Sequence, residues 1–350
     1  SDCRVGIGSF GGLSPHWLVL KIRGRIRMNK SKSFSYAKYG YLFSIPFVVA
    51  YLIFSFYPTI NTIILGFTDA KGMAGLTNWN FLPAEDLFKN FIAVLKAPTF
   101  RKSLGNTIIL WVANFIPQIS LALLLTAWFT SKRNELRGQG FFKVVFYMPN
   151  IITAASIAIL FKALFAYPVG PVNSLLVKLG LATEAVNFTT KVWPTRGIIA
   201  FIQFWMWYGN TMIVLISGVL GINPDLYEAA ELDGASSSQM FWKITMPNLK
   251  TILLYTLITS MIGGLNMYDI PKLFNDGNPA NSTMTTNVFI YKQAFSGSYM
   301  YARAAAASVI MFIIIAVISI FMFMMFQDSD KKMERAAKRA AKRAAKKEVG

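Results

Sequence analysis

The stretch YEAAELDGASSSQMFWKITMPNLK, from Tyr227 to Lys250, separates two long apolar segments of the chain. Four acids lie between Asp225 and Asp233, small residues follow, and Pro247 stands near the apolar, aromatic end. Charged side chains are costly in the hydrocarbon core of a bilayer. A segment this polar between two candidate membrane spans therefore has a role outside the bilayer.

The composition of the chain points to a membrane protein. It has 350 residues, of which 54% are hydrophobic, 29 are Phe and only 15% carry charge, which is unlike an ordinary soluble domain. A membrane-spanning helix needs about 20 mostly apolar residues. We therefore expect an all-α integral membrane protein with six transmembrane helices. The six segments are Tyr39 to Phe67, Ser103 to Thr130, Phe141 to Phe165, Gly197 to Gly221, Thr251 to Leu273 and Ala302 to Phe326.

Prolines lie within or near the first three predicted spans, at Pro46, Pro58, Pro117 and Pro149. Each proline lacks a backbone donor, and packed neighbours can satisfy the carbonyl that is freed inside a membrane. These positions predict kinks in the spans.

The formal net charge of +19 at pH 7 is unevenly distributed. Lys and Arg concentrate before the first span, in the loop after the second span and after the last span. With six spans, these regions share one side of the membrane, and the positive-inside rule places that side in the cytoplasm. Both termini and the Tyr227 to Lys250 segment are therefore predicted to be cytoplasmic. Because the charge follows topology, we expect no nucleic-acid partner.

These patterns predict three regions. Residues 1–38 form a basic, cytoplasmic N-terminal segment, in which residues 1–27 are excluded from the fold because Met28-Asn29-Lys30 reads like a natural bacterial start. Residues 39–327 form the six-helix transmembrane domain, and residues 328–350 form a basic cytoplasmic tail. The tail sequence ERAAKRAAKRAAKKE is rich in helix formers. It predicts either a solvated helix or a helix that binds anionic membrane lipid.

The sequence lacks the residues that several kinds of catalytic and metal site require. Cys3 and His16 are the only cysteine and histidine, so neither a disulfide framework nor a Cys/His metal cluster is expected. The chain carries no glycine-lysine loop for ATP phosphates and no recognisable nucleophile pattern. We therefore predict a protein that is not itself an enzyme, with no catalytic residue, metal or cofactor.

The opening segment predicts a helix-turn-helix. Helix formers run from Leu226 to Leu232, and Gly234 can adopt the positive φ that ends a helix. A second helix is expected from Ser236 to Thr245, before Pro247 breaks it ahead of the fifth span.

The surface of this helix-turn-helix suits docking to a protein. Glu228 and Glu231 lie on the first helix, and apolar residues follow on one side of the second. Small residues that permit close approach are Ala229, Ala230 and Ala235. The alternative is an amphipathic loop lying on lipid headgroups. Acids that face an anionic leaflet are repelled, which favours a protein partner.

The pattern Glu-Ala-Ala, three residues, Gly, nine residues, Ile-x-x-Pro is matched by Glu228, Ala229, Ala230, Gly234, Ile244 and Pro247. This segment, residues 223–250, resembles the EAA loop of bacterial ABC-importer permeases, and its fuller sequence resembles the carbohydrate, maltose-type branch. The sequences FFKVVFYMPNIITAASIAILFKALF, GPVNSLLVKLG and YARAAAASVIMFIIIAVISI also resemble the third span, the following external loop and the last span of that family. Met246 departs from the usual Leu, and Ser217-Gly218-Val219 departs from the usual Ala-Gly-Leu.

The resemblance implies a permease subunit of a binding-protein-dependent importer in the bacterial cytoplasmic membrane. In that family the loop is a coupling helix that sits in a groove of a separate ATPase subunit. Glu228 is implied to make polar contacts there, and Gly234 to form the turn. The residues implied for ATPase coupling are Glu228, Ala229, Ala230, Asp233, Gly234, Ala235, Phe241, Ile244 and Pro247.

The resemblance also implies partners. They are a second, similar permease, two ABC ATPase subunits and an external solute-binding protein. The external loops Asp69 to Lys102 and Ala166 to Arg196 are shorter than a folded domain of about 50 residues. Capture of a sugar therefore falls to the separate binding protein.

Polar and aromatic side chains inside the third to fifth spans are candidates for a substrate pathway. Intramembrane polar groups face the interior of a helix bundle, and sugars are bound by aromatic faces together with amide hydrogen bonds. The candidates are Asn150, Gln203, Trp207, Tyr208, Asn210, Asn266 and Tyr268. The same residue types also join helices and form interfacial belts.

A secondary transporter or channel subunit for a small polar solute is the alternative function, and a membrane enzyme is a weaker one. An ion-driven transporter is disfavoured because no span carries a carboxylate near its middle. Asp269 is predicted near the outer end of its span, facing water or an external partner.

Overall fold

The computed structural model describes residues 37–131, 137–297 and 299–348, with side chains described from residue 38 to residue 325. This part of the chain is helical, with one isolated β-bridge between Thr68 and Phe81. The α-helices are α1 Ala37–Tyr51, α2 Tyr57–Leu65, α3 Lys89–Lys96, α4 Pro98–Phe129, α5 Gln139–Ile151, α6 Ala154–Leu164, α7 Pro171–Lys178, α8 Val192–Leu220, α9 Asp225–Leu232, α10 Ser237–Met240, α11 Met246–Asn248, α12 Lys250–Leu265, α13 Asp269–Asn275, α14 Thr286–Phe295 and α15 Tyr301–Glu348. Short 3₁₀-helices are Ala84–Asp86 and Phe188–Thr190, and π-helical turns are Leu52–Phe56 and Phe241–Thr245.

Five segments of the described chain are long and apolar enough to cross a membrane, and a bent pair of helices adds a sixth. The all-helical prediction is therefore confirmed, and the six predicted spans correspond to five candidate spans and the bent pair. The five segments are Lys38–Leu65, Pro98–Phe129, Val192–Leu220, Lys250–Asn275 and Tyr301–Met325, and the bent pair is α5 with α6. The last helix continues past the predicted boundary at residue 327 and ends at Glu348.

The third predicted span is a pair of helices with a sharp bend close to Pro149, where a kink is predicted. α5 and α6 meet at an angle of 89°. Pro149 lies in the last turn of α5, and Thr153 caps α6 by accepting a hydrogen bond from the Ser156 N–H at 3.2 Å. Proline weakens the end of one helix and the threonine starts the next in a new direction. Both halves are apolar, so hydropathy alone could not locate the bend.

The fifth predicted span is also interrupted, between Leu265 and Asp269. The Asn266 amide donates to the Ile262 carbonyl at 2.9 Å, at the end of α12. Carbonyls freed by the interruption are satisfied from α14 and its start, as a bilayer requires. Asn287 donates to the Asn266 carbonyl at 2.8 Å and Thr285 donates to the Met267 carbonyl at 2.7 Å.

The described residues divide into two compact units, one ending at Pro58 and the other beginning at Thr59. In the first unit, α1 passes into the π-helical turn Leu52–Phe56 directly before Tyr57-Pro58. Pro58 offers no N–H to the carbonyl of Phe54. A π-helical turn at this point shifts the bonding pattern by one residue, as seen in the bond from the Tyr57 N–H to the Leu52 carbonyl.

The second unit is held by apolar packing between the second, third, fourth and fifth spans. A cluster of buried side chains joins Leu110 of α4, Ile157 of α6, Ile202 of α8 and Ile270 of α13, each fully buried. Polar contacts also join the packed helices, and in one of them the Gln118 amide of α4 donates to the Thr211 hydroxyl of α8 at 2.7 Å. This packing fixes the positions of α4, α8 and α13, which line the candidate site together with α12.

Candidate functional site

The Glu-Ala-Ala segment, residues 223–250, folds into two short helices and a turn. α9 begins after Asn223, whose side chain accepts from the Asp225 N–H at 3.1 Å. At the other end, the Gly234 N–H donates to the Glu231 carbonyl at 3.0 Å and the Ala235 N–H donates to the Ala230 carbonyl at 2.9 Å. These two bonds form a Schellman motif.

The turn depends on the backbone of Gly234, which has φ +75. A side chain there would meet no atom within 4 Å, so backbone conformation and not space restricts this position. Immediately after it, Ser236 and Gln239 form a capping box. The Ser236 hydroxyl accepts from the Gln239 N–H at 3.3 Å, and the Gln239 side chain accepts from the Ser236 N–H at 2.7 Å. Sequence and geometry thus agree on a sharp turn followed by a new helix.

The helix after the turn does not stop at Pro247, which corrects the prediction of a break. Residues 237–240 are α-helical, residues 241–245 form a π-helical turn, and α11 and α12 continue the helix. The Met246 N–H donates to the Phe241 carbonyl across the π-helical turn. Pro247 has no backbone N–H to donate, and the π-helical turn accommodates this as the turn before Pro58 does.

The nine residues predicted for ATPase coupling lie on one continuous segment. The exposed ones are Glu228, Ala229, Asp233, Gly234 and Pro247, and the half-buried ones are Ala230, Ala235, Phe241 and Ile244. Two large apolar side chains beside them are also exposed, Leu232 by 90% and Trp242 by 62%. Exposed apolar side chains interspersed with acids are typical of a surface that binds another protein.

One contact within the segment joins two residues that are not among the predicted coupling residues. The hydroxyls of Tyr227 in α9 and Thr245 in the π-helical turn are 2.9 Å apart. Both residues line a cavity of about 690 Å³ between the segment and the ends of α4, α5 and α8. Because 18 residues separate the two side chains, the pairing leaves no periodic signal in the sequence.

A second cavity, of about 410 Å³, lies among α4, α8, α12 and the interruption of the fifth span. We call it the central cavity. Five of the seven substrate-pathway candidates line it: Gln203, Trp207, Asn210, Asn266 and Tyr268. The interruption brings the last two together with the side chains of α8. Amides, aromatic rings and hydroxyls therefore converge on one space.

The other two candidates lie elsewhere. The Asn150 amide donates to the Met206 carbonyl at 3.3 Å and so links α5 to α8. Tyr208 is 7% exposed and packs edge-on against Phe146 of α5, with ring centroids 6.3 Å apart. In both places the side chain joins helices rather than lining the central cavity.

Other polar residues line the central cavity but are not among the seven candidates predicted from the sequence. Asn114 and Gln118 lie one helical turn apart in α4, and this i, i+4 spacing of amides in an apolar span was an available signal. Hydroxyls of α12 line the cavity at Thr256, Thr259 and Ser260. Thr256 is 5% exposed, and its hydroxyl has no hydrogen-bond partner among the described residues.

Asp269 lines the central cavity and is exposed. Its exposure is compatible with the prediction that it faces water or an external partner, and that prediction did not include its place at the cavity. Asp269 lines the cavity because the fifth span is interrupted directly before it, so α13 starts there. A carboxylate at the first turn of a helix also complements the helix dipole.

The connection between α13 and α14 is tied to other helices by charged and polar side chains. Arg196 of α8 donates to the Ser282 carbonyl at 2.9 Å and to the Asn106 side chain at 2.6 Å. Burial opposes ionisation of Asp276, but hydrogen bonds and charges from Lys272 and Lys292 hold the pKa of its carboxyl below the ordinary value. The two Nζ–carboxylate distances are 2.6 and 3.0 Å.

Comparison with known proteins matches residues 89–335 to the family described as binding-protein-dependent transport system inner membrane component. The chain is 31% identical to the lactose transport system permease protein LacF of Rhizobium radiobacter, over 75% of this chain and 86% of the relative. It is 30% identical to the arabinooligosaccharides transport system permease protein AraP of Bacillus subtilis (strain 168), over 76% of this chain and 81% of the relative.

Among solved structures, the fold is similar to that of a bacterial ABC transporter involved in the import of the acidic polysaccharide alginate. The TM-score is 0.67 at 24% identity, over 82% of this chain and 94% of that chain. The relatives and the matched range agree with the resemblance to ABC-importer permeases. The chain belongs to the family of binding-protein-dependent transport system inner membrane components, the multi-pass permeases of ABC importers.

Proposed function

We propose that this chain is the permease subunit of an importer that carries a sugar or oligosaccharide across the bacterial cytoplasmic membrane. The observation that carries the proposal is the central cavity, in which amides, hydroxyls and aromatic rings surround about 410 Å³. Sugars present hydroxyls to such amides and apolar faces to such rings. The names of the relatives, which refer to lactose and arabinooligosaccharides, support the same substrate class.

Thr256 supports a polar substrate. A buried hydroxyl without a partner costs free energy, and Thr256 Oγ1 is such a group at the wall of the central cavity. A bound sugar hydroxyl would satisfy it. The lining residues proposed to contact the sugar are Gln203, Trp207, Asn210, Asn266 and Tyr268. Asn150 and Tyr208 are proposed to position the helices that hold them.

ATP hydrolysis is proposed to reside in two separate ATPase subunits. The Glu-Ala-Ala segment supports this division because its acids and its apolar side chains Leu232 and Trp242 are exposed together. We propose that Glu228 and the turn at Gly234 lie in a groove of the ATPase. A second, similar permease and an external solute-binding protein complete the importer.

The proposed orientation places both termini and the Glu-Ala-Ala segment in the cytoplasm. Residues 39–327 form the transmembrane permease domain, flanked by basic segments 1–38 and 328–350. Basic residues next to a membrane attract anionic lipid. We propose that the helix continuing to Glu348 brings its basic end near this lipid on the cytoplasmic side.

The test is uptake by the assembled complex in proteoliposomes, with ATP inside and the solute-binding protein outside. Radiolabelled lactose and arabinotriose are the probes, and we expect uptake of a sugar from this panel to need both ATP and the binding protein. Thr256→Val should weaken uptake at low sugar concentration about tenfold while leaving assembly intact, from the loss of one hydrogen bond to substrate. Uptake without ATP would contradict the proposal.

One observation favours the alternative of an ion-driven transporter. Asp269 lines the central cavity, and carboxylates in that setting relay ions in many secondary transporters. The same proteoliposomes separate the two functions. A proton gradient without ATP would drive uptake in a secondary transporter, and Asp269→Asn would abolish it. In the ABC importer, collapse of the gradient leaves ATP-driven uptake unchanged.

A further inference from the structure

A hydroxyl pair joins the two halves of the Glu-Ala-Ala segment. Tyr227 Oη of α9 and Thr245 Oγ1 of the π-helical turn are 2.9 Å apart. Thr245 is 4% exposed and Tyr227 is half-buried. Water therefore competes poorly for this hydrogen bond. The turn at Gly234, by contrast, lies exposed at the far end of α9.

Thr245 occupies the last position of the π-helical turn. Its hydroxyl also lies 3.5 Å from the Met240 carbonyl, and the next residue, Met246, donates across the turn to the Phe241 carbonyl. A π-helical turn holds one extra residue within a helix and often marks a functional position. The hydroxyl pair thus attaches α9 at the point where the helix geometry can change.

From this point the helix leads into the fifth span. The Leu249 N–H donates to the Thr245 carbonyl at 2.9 Å, and the Leu253 N–H donates to the Leu249 carbonyl at 2.8 Å. Displacement of Thr245 along the helix is therefore passed to α12.

The fifth span meets α8 without free space. A Cβ added to Gly218 would lie 2.5 Å from Ile252 Cδ1 and 2.7 Å from Leu249 Cδ2. Leu249 is fully buried. Close packing leaves little room at this contact, so we expect a shift of the fifth span to be passed to α8, and these two helices line the central cavity.

We propose that the Tyr227–Thr245 hydroxyl pair is the link that passes movement of α9 to the fifth span and to the central cavity. The inference rests on the proposed function, because it takes α9 as the part that the ATPase moves. Tyr227 and Thr245 act as positioning residues. Without the bond, α9 moves about the Gly234 turn by itself, and ATP is hydrolysed without reorienting the spans.

The experiment measures ATP hydrolysed per sugar transported by the complete complex in proteoliposomes. The sugar is whichever of lactose and arabinotriose the wild-type complex takes up. Tyr227→Phe and Thr245→Val each remove one hydroxyl and should raise this ratio about two- to tenfold, the range for one lost hydrogen bond. Thr245→Ser keeps the hydroxyl and should keep the wild-type ratio. The double variant should match either single variant, because both remove the same bond.

A matched control removes a hydroxyl that bonds within its own helix. Thr130 lines the same cavity, and its hydroxyl donates to the Thr126 carbonyl at 2.8 Å. Thr130→Val should leave the ratio unchanged. An unchanged ratio in Tyr227→Phe, additive effects in the double variant, or lower assembly at an unchanged ratio would each overturn the proposal. Wild-type complex that takes up neither sugar would instead refute the proposed function, and the inference with it.

Discussion

Gly209 of α8 lies directly against the backbone of α5 at Phe146. A Cβ added to Gly209 would overlap the Phe146 carbonyl oxygen and lie 2.9 Å from the Cα of Tyr147. A backbone cannot turn away as the end of a flexible side chain can. The absence of a side chain at Gly209 is therefore what lets the first half of the bent pair pack along the fourth span.

Gly209→Ala should destabilise the permease by about 3 kcal/mol or more, because overpacking against backbone forces two helices apart. The measurement is thermal unfolding of the purified chain in detergent, together with the yield of membrane-inserted protein. Gly105→Ala is the matched control, since Gly105 lies in α4 and a Cβ there meets no atom within 4 Å. This control should be neutral or stabilising by up to about 1 kcal/mol. Equal effects of the two substitutions would contradict the close contact.

Local sequence patterns predict the parts of the fold that depend on neighbours along the chain. The turn at Gly234 follows from helix formers that end at a residue able to take positive φ, and the structure places it at φ +75. The apolar spans follow from hydropathy over about 20 residues. Pro149 indicated a kink, but the angle of 89° depends also on packing of α5 and α6 against α8.

The central cavity, unlike the turn and the spans, could not be predicted from local sequence patterns. Its lining residues come from helices far apart in sequence, so Asn114 and Thr256 become neighbours of one space only after the helices pack. Tyr208 and Asn150 have the same chemistry as the lining residues but face other helices. Residue type therefore predicts which side chains are candidates, and helix packing decides which of them line the cavity.

The ion pairs of Asp276 with Lys272 and Lys292 predict that the stability of the fold depends on pH. The pKa of Asp276 is lowered in the folded chain, so the ionised carboxylate stabilises the fold above the unfolded pKa. This contribution is lost as the pH falls through the lower, folded pKa. Asp276→Asn keeps a residue that tolerates positive φ and should cost about 0.5–1 kcal/mol at pH 7, as for exposed ion pairs.

The measurement for Asp276 is thermal unfolding of wild type and Asp276→Asn between pH 7 and pH 3. We expect two curves that differ near neutrality and converge at the acid end. Lys89 forms an exposed pair with Asp86 at 2.8 Å. Asp86→Asn is therefore the control for loss of an ion pair between residues close in sequence. A constant difference at every pH would show that the effect of Asp276→Asn is not electrostatic.

The bent pair α5 and α6 makes the topology testable. If the pair crosses the membrane, Leu181 lies outside and Ser237 inside, whereas a re-entrant pair would exchange the two. Single cysteines at these positions, in a Cys3-free background, report the side by labelling of intact cells with an impermeant thiol reagent. We expect labelling of the Leu181→Cys variant, where the side chain is 71% exposed, and protection of Ser237→Cys and Ser131→Cys.

Substitution of Gly234 tests the proposed coupling function separately from folding. Gly234→Val places a β-branched residue at φ +75, a strain of order 1–3 kcal/mol, so α9 and α10 should be re-aimed and leave the ATPase groove. We expect the permease to insert and pair with its partner, yet to lose ATP hydrolysis stimulated by loaded binding protein. Gly234→Asn is the matched control, because Asn tolerates positive φ and no atom lies within 4 Å of the added Cβ. Co-purification of the ATPase and its stimulated activity are measured for both variants. If Gly234→Val retained both at the level of Gly234→Asn, the segment would have no role in coupling.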